Sequence, residues 1–205
     1  MATIGITDFL ARKFDVFDFE GKFKDSFGTP EKNMRMLVYG KPGNGKTEFC
    51  FQLAKYLCDF KRVYYNSFEQ GISKTLQDAI IRNDMADKKG KIVFGDKDSF
   101  EDMMLYLKKR NSPSIVFIDS RDYLNLTGEQ FRTLMHAFPK KAFIVICWEN
   151  NGRPKSEHGK AIEFMCDIKV FVHNFIAKPR SRFGGNEDYV IWDKGTKRTT
   201  QPLLF

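Results

Sequence analysis

The 205-residue sequence has no apolar run near the roughly 18 consecutive residues of a membrane-spanning helix. Asp8, Arg12 and Lys13 interrupt residues 1–14, where a signal peptide would carry its apolar stretch. A cytoplasmic protein with no membrane partner is expected. Its four cysteines, Cys50, Cys58, Cys147 and Cys166, are scattered without a CxxC spacing, and three of them sit inside apolar runs. That pattern excludes a zinc ribbon or a disulfide scaffold and predicts buried free thiols. Internal repeats and low-complexity tracts are absent, so solenoids and disordered tails are excluded. Acidic residues are in the minority: 26 Asp plus Glu stand against 34 Lys plus Arg, a net charge of +8. This permits a polyanionic partner without requiring one. Phenylalanine is plentiful, with 21 copies, and a 42% hydrophobic content is enough for one buried core.

From residue 35 onward, short β-branched or aromatic runs alternate with helical patterns. Residues 36–39, 63–67, 91–94, 114–118 and 142–147 read as strands, and their near-continuous hydrophobicity predicts a parallel sheet covered on both faces. Between them, residues 46–60 place Phe49, Cys50, Leu53, Ala54, Leu57 and Phe60 on one helical stripe. Ser99 with Asp102, and Thr127 with Gln130, have capping-box spacing, and Ser73 is a further N-cap candidate. The expectation is a three-layer α/β domain over residues 34–205, preceded by a helical extension over 1–33 that packs on the core through Phe9, Phe14, Phe23 and Phe27. Residues 169–176 and 189–192 read as an antiparallel hairpin joined by a glycine-containing loop.

Gly40-Lys41-Pro42-Gly43-Asn44-Gly45-Lys46-Thr47 fits the pattern of a phosphate-binding loop, between a buried strand and a strongly periodic helix that continues with Glu48. The chemistry needs those residue types. Glycines turn backbone N–H groups inward, and the helix N-terminus adds its positive dipole end. Lys46 neutralises the β and γ phosphates, and the Thr47 hydroxyl ligates Mg²⁺. A second carboxylate for the ion comes from Asp119, at the end of the buried strand 114–118. ATP and Mg²⁺ are therefore the expected ligands, with ADP as product.

The residue that orients the attacking water decides the kind of enzyme. AAA+ proteins and many helicases carry glutamate directly after the strand-terminal aspartate; Ser120 stands here, which speaks against that arrangement. The Asn-Lys-x-Asp element of a GTPase does not occur, and no arginine-rich lid of a nucleoside monophosphate kinase is evident. Glu69 lies 22 residues after Thr47, just beyond strand 63–67. If that strand neighbours the one ending at Asp119, Glu69 reaches the γ-phosphate edge and can polarise a water.

The loop at 40–47, Glu69, Asp119 followed by serine, and the polar end of strand 142–147 together resemble the RecA-like P-loop ATPases: recombinases, RadA-type proteins and replicative helicases. The resemblance spans about residues 20–195, and the chain is also similar to ATPases of bacteriophages and mobile elements. It implies a γ-phosphate sensor at Glu149 or Asn150. It implies DNA-binding loops at 120–127, after strand 114–118, with Arg121, and at 150–160, after strand 142–147, with Arg153, Lys155, His158 and Lys160. Arg182-Phe183-Gly184 is similar to the end of a RadA motif, which makes Lys178, Arg180 and Arg182 candidates for contacting DNA or the nucleotide of a neighbouring subunit. A DNA-stimulated ATPase assembled as a ring or filament on single- or double-stranded DNA is the reading that follows. A slow nucleotide-dependent switch or scaffold, and a small-molecule kinase, are the alternatives.

Overall fold

The computed structural model describes residues 3–195; the last ten residues of the expected core, 196–205, lie outside the described residues. Two short helices, α1 (Ile6–Leu10) and α2 (Gly21–Phe27), precede β1 (Arg35–Gly40), α3 (Lys46–Leu57) and β2 (Val63–Ser67). Then follow α4 (Lys74–Arg82), β3 (Ile92–Gly95), α5 (Phe100–Leu107) and β4 (Ile115–Asp119). The second half runs through α6 (Arg121–Leu124), α7 (Gly128–Ala137), β5 (Ala142–Asn150), β6 (Arg153–Pro154) and α8 (Glu157–Met165). It ends with β7 (Ile168–His173), β8 (Ile176–Ser181) and β9 (Tyr189–Val190).

The strands form one sheet in the order β3-β2-β4-β5-β1-β7-β8-β9, with β6 paired to β5. All pairs from β3 to β7 are parallel, and β8 and β9 add antiparallel. The central strands read as unbroken hydrophobic runs because both faces are buried. Met36 and Val38 of β1 face one core with α3, while Leu37 and Tyr39 face the other with α5, α7 and α8. The architecture is the expected three-layer α/β sheet with a C-terminal antiparallel edge. Both capping boxes form, and the Ser73 side chain accepts the Leu76 N–H. All four cysteines are buried and free. Among the described residues no helix is long and apolar enough to cross a membrane.

Three expectations need correction. Phe9 and Phe14 do not pack on the core: α1 buries no residue, and Ile6, Phe9, Leu10 and Phe14 are all exposed. Phe17 and Phe19 take the core places instead, in an aromatic cluster with Phe23, Tyr56 and Phe60. The late hairpin is also registered differently. Asn174 and Phe175 both have positive φ (49° and 58°), as a two-residue primed turn requires, so β7 reverses there and the basic stretch 178–180 is a strand rather than a loop. Pro179 fits because β9 pairs only with Ile176 and Ala177, leaving the outer edge beside Pro179 with no ladder bond to lose. Finally, residues 150–160 are no open loop: they fold into the β5–β6 pairing and the first turn of α8.

The C-terminal turn at 181–186 interlocks with the N-terminal segment. Ser181 Oγ donates to the Phe27 carbonyl, and the amides of Asn186 and Glu187 donate to Ser26 and Asp25. Gly185, at φ +76°, lies so close that an added Cβ would stand 2.7 Å from Asp25 O.

Candidate functional site

The parallel register brings four strand ends together at one edge of the sheet. Gly40 pairs with Trp148, and Ser67 pairs with Asp119. The loop that binds phosphate, the carboxylate of Asp119 and the segment leading to Glu69 are therefore neighbours. This is the crevice at the carboxyl ends of strands where open α/β sheets hold ligands.

Residues 40–45 are shaped for close backbone approach. A Cβ on Gly40 would lie 2.2 Å from the Val172 carbonyl oxygen, and Gly45 has φ +97° with Phe175 at 2.9 Å from the same virtual atom. Gly43 (φ +76°) is exposed, and a Cβ there would meet nothing within 4 Å, so the backbone at this point of the loop is open to approach. Lys46 Nζ donates to the Lys41 carbonyl at 3.0 Å, holding the ammonium back over the loop. Asn44 buttresses the loop rather than facing it outward. Its Nδ2 donates to the carbonyls of Pro42 and Lys41, its Oδ1 accepts the Asn174 N–H at 2.9 Å, and its own carbonyl accepts the Phe175 N–H.

Asp119 is buried and accepts the Tyr65 hydroxyl on Oδ2 at 2.7 Å, while Oδ1 takes no partner among the described residues. Burial pushes its carboxyl up to about 6, against the Tyr65 hydrogen bond and the Lys46 charge; Glu69 adds to the rise. The Glu69 amide donates to the Asp119 carbonyl at 2.9 Å, which fixes the second strand's tip to the fourth. Burial raises the Glu69 carboxyl too, opposed by Lys46 and reinforced by Asp122. Lys46 is lowered by burial, with Glu69 and Asp119 pulling it back up. The three charges thus sense one another. No cluster of three or more His, Cys, Asp or Glu occurs among the described residues. A divalent ion would accordingly share the neutral Thr47 hydroxyl and the single Asp119 carboxylate with phosphate oxygens, a donor set of the hard-oxygen kind that suits Mg²⁺.

A cavity of about 500 Å³ opens beside Gly45 and is lined by Glu48, Gln52, Arg82, Phe175, Ile191 and Trp192. Phe175 and Trp192 meet edge to face at 5.2 Å. Gln52 is spent on structure: its Nε2 donates to the Ile191 carbonyl and its Oε1 accepts the Tyr189 hydroxyl. Glu48 belongs to this wall, where Arg82 donates to it through Nε and Nη2. Sequence reasoning missed Phe175, Ile191 and Trp192, which join the site only through the turn between β7 and β8.

Other expected residues have different surroundings. Arg121 is buried, donating through Nε to the Leu126 carbonyl and through Nη1 to Asp122 and Ser156, so it is not available to DNA. Asp122 in turn accepts the Trp148 N–H at 2.6 Å. Glu149 accepts the Gly152 N–H and closes the turn between β5 and β6, and Asn150 is the exposed last residue of β5, paired with Arg153. Lys155 lies over the Trp148 ring at 5.1 Å, Lys160 pairs with Glu157, and His158 is exposed on α8. Arg182 pairs with Asp167 level with the start of β1, at the sheet end away from the phosphate loop. Lys178, Arg180 and Arg153 line a separate cleft.

The sequence model of the family described as ATPase family associated with various cellular activities (AAA) matches residues 36–168. A KaiC-like protein from the hyperthermophilic archaeon Pyrococcus horikoshii OT3 has a similar structure, with TM-score 0.56 and 18% identity over 78% of this chain and 85% of that one. The flagellar accessory protein FlaH from Methanocaldococcus jannaschii is similar with TM-score 0.59 and 14% identity, over 82% of this chain and 88% of that one. The fold is that of RecA-like P-loop ATPases. No curated protein is similar enough in sequence to count as a relative.

Proposed function

Because the chain belongs to the ATPase family associated with various cellular activities, we propose that its site binds and hydrolyses Mg-ATP and that the protein acts on DNA as a homo-oligomer. Family membership corrects the expectation that set an AAA-type protein aside because Ser120 follows Asp119. The serine remains where such proteins carry glutamate, and Glu69 is the carboxylate tied beside Asp119 instead.

The observation that supports hydrolysis best is the placement of Lys46, Glu69 and Asp119 together beside the glycine loop. In this reading the loop amides and Lys46 bind the phosphates. Thr47 and Asp119 would hold Mg²⁺, which when bound would supply positive charge beside the phosphate oxygens. Glu69, with its carboxyl raised by burial toward the working pH, accepts a proton from the attacking water. The base enters the cavity beside Gly45, where Phe175, Ile191 and Trp192 supply stacking and the polar groups of Gln52, Glu48 and Arg82 are already paired, so ATP and GTP are poorly distinguished.

A coupled assay of phosphate release, with and without DNA, tests the proposal. Turnover should rise with protein concentration and with DNA, and Glu69→Gln should abolish it while ATP binding persists. Unchanged hydrolysis in that variant would remove Glu69 as the base. Rapid transfer to a nucleoside monophosphate, with little to water, would favour a kinase.

A further inference from the structure

We infer that the cleft on the open face of β7 and β8 is a binding groove for extended single-stranded nucleic acid, its bases stacked on Phe171 and Phe164 and its phosphates held by Arg153, Lys169, Lys178 and Arg180. The inference rests on the proposed action on DNA and gives that action a place different from the two loops expected from the sequence.

On this face Phe171 is half-buried against the core beneath α8, while Lys178 and Arg180 beside it are exposed. On β7, Ile168, Val170 and Val172 are buried against the α3 side of the sheet, while Lys169, Phe171 and His173 alternate onto the other face. On β8, Lys178 and Arg180 point the same way, directly opposite Phe171 and Lys169 in the antiparallel register. A cavity of about 680 Å³ lies there, walled by the C-terminal half of α8, where Phe164 is 82% exposed. Five cationic side chains line it against two acidic ones, Glu163 and Asp167. Arg182 is paired with Asp167, and Lys178 is only loosely paired with Asp188 at 3.9 Å. Arg153, Lys169 and Arg180 form no ion pair among the described residues.

An uncompensated cationic rim around an aromatic floor suits one ligand class in particular. A single strand offers a charge at every nucleotide and a π-face on every base, and sheets that stack two or three bases on exposed aromatics use the same geometry. Lys178 and Arg180 are two residues apart on a strand and thus about 7 Å apart, a spacing able to follow successive phosphates. The six residues of β7 give a floor about 20 Å long. Phe171 is held in place by contacts with Tyr39, its register partner on β1, at 5.5 Å and with His173, two residues on, at 5.8 Å. Of the cations in the two expected loops, Arg121 is buried and Lys155 and Lys160 are engaged, whereas Arg153 lines the cleft.

The test is fluorescence anisotropy of labelled oligo-dT and oligo-U with the full chain, across salt. Four phosphate contacts predict about a 50-fold loss of affinity between 50 and 200 mM salt. Arg180→Gln should weaken binding and flatten the salt slope by about 0.7. Phe164→Ala, at an exposed position that cannot disturb folding, should weaken it at least about fivefold without changing the slope. Lys61→Gln, on a surface away from the cleft, should bind as the parent does. If the parent binds the oligonucleotides and both cleft variants bind equally well, the groove is wrong while action on DNA stands. If the parent binds neither oligonucleotide at low salt, action on single strands and the groove fall together while ATP hydrolysis stands. If the variants lose self-association and keep their affinity for nucleic acid, the cleft is an interface between copies and the inference is overturned.

Discussion

Replacing Asp119 by asparagine should stabilise the protein while abolishing its Mg-dependent turnover. Asp119 is held in a buried position with its carboxyl raised from 3.8 to about 6. The folded state therefore binds its proton more tightly than the unfolded chain does. The stabilisation from that proton is complete below about pH 4 and is lost as pH rises through about 6. At pH 7 the ionised carboxylate costs about 3 kcal/mol, from roughly two pKa units at 1.36 kcal/mol each. An asparagine carries no such charge, and its Oδ1 can still accept the Tyr65 hydroxyl. Urea unfolding of the nucleotide-free protein in EDTA should show Asp119→Asn more stable than the parent by about 2–3 kcal/mol at pH 7, with the gain shrinking to nothing near pH 4. Phosphate release by the variant should be lost at every pH. A variant less stable than the parent at pH 7, or a gain independent of pH, would refute the claim that burial is what raises Asp119.

Arg121→Ala should cost about 3–5 kcal/mol by leaving Asp122 and the Leu126 carbonyl unpaired in a buried site, read as a drop in the urea midpoint with unchanged m. Trp192→Ala should raise KM for ATP and GTP together by about three- to tenfold, the worth of one aromatic contact; a change confined to one nucleotide would mean that the cavity reads the base. Gly185→Ala combines a left-handed backbone with a contact of 2.7 Å to the Asp25 carbonyl. It should destabilise by more than about 2 kcal/mol, measured by thermal unfolding, whereas Gly43→Ala, with the same left-handed backbone but no close contact, should cost only about 1–2 kcal/mol and weaken nucleotide binding.

What the sequence displayed was mostly what local physics decides. The five central strands announce themselves because burial on both faces forces unbroken apolar runs, and α5 and α7 because their capping boxes are short-range hydrogen-bond circuits. Asp119 and Glu69 were visible as carboxylates closing such strands. The remainder depends on distant partners. α8 opens on Ser156 with Gly159 at the third helical position, where a capping box would have Glu or Gln. The glycine is there because a Cβ would stand 3.1 Å from Pro154 Cβ and 3.2 Å from Ser156 Oγ. A glycine among polar residues then looks like loop. Arg121 reads as a cation of a DNA-binding loop because one of its partners, the half-buried Ser156, lies 35 residues on. Phe175 and Trp192 gave no signal at all, since only the tertiary turn beside Asn44 carries them to the phosphate loop.

That turn makes β8 a stiff push-rod. One end of the strand is fastened through Asn174 and Phe175 to Asn44 of the phosphate loop, and the other is clamped through Ser181 to the end of α2. A strand paired along its whole length with β7 has no slack to absorb motion between those anchors. Lys178 and Arg180 therefore stand between two fixed anchors, one at the glycine loop and one at α2, and the place of both cations is set from both ends of the strand.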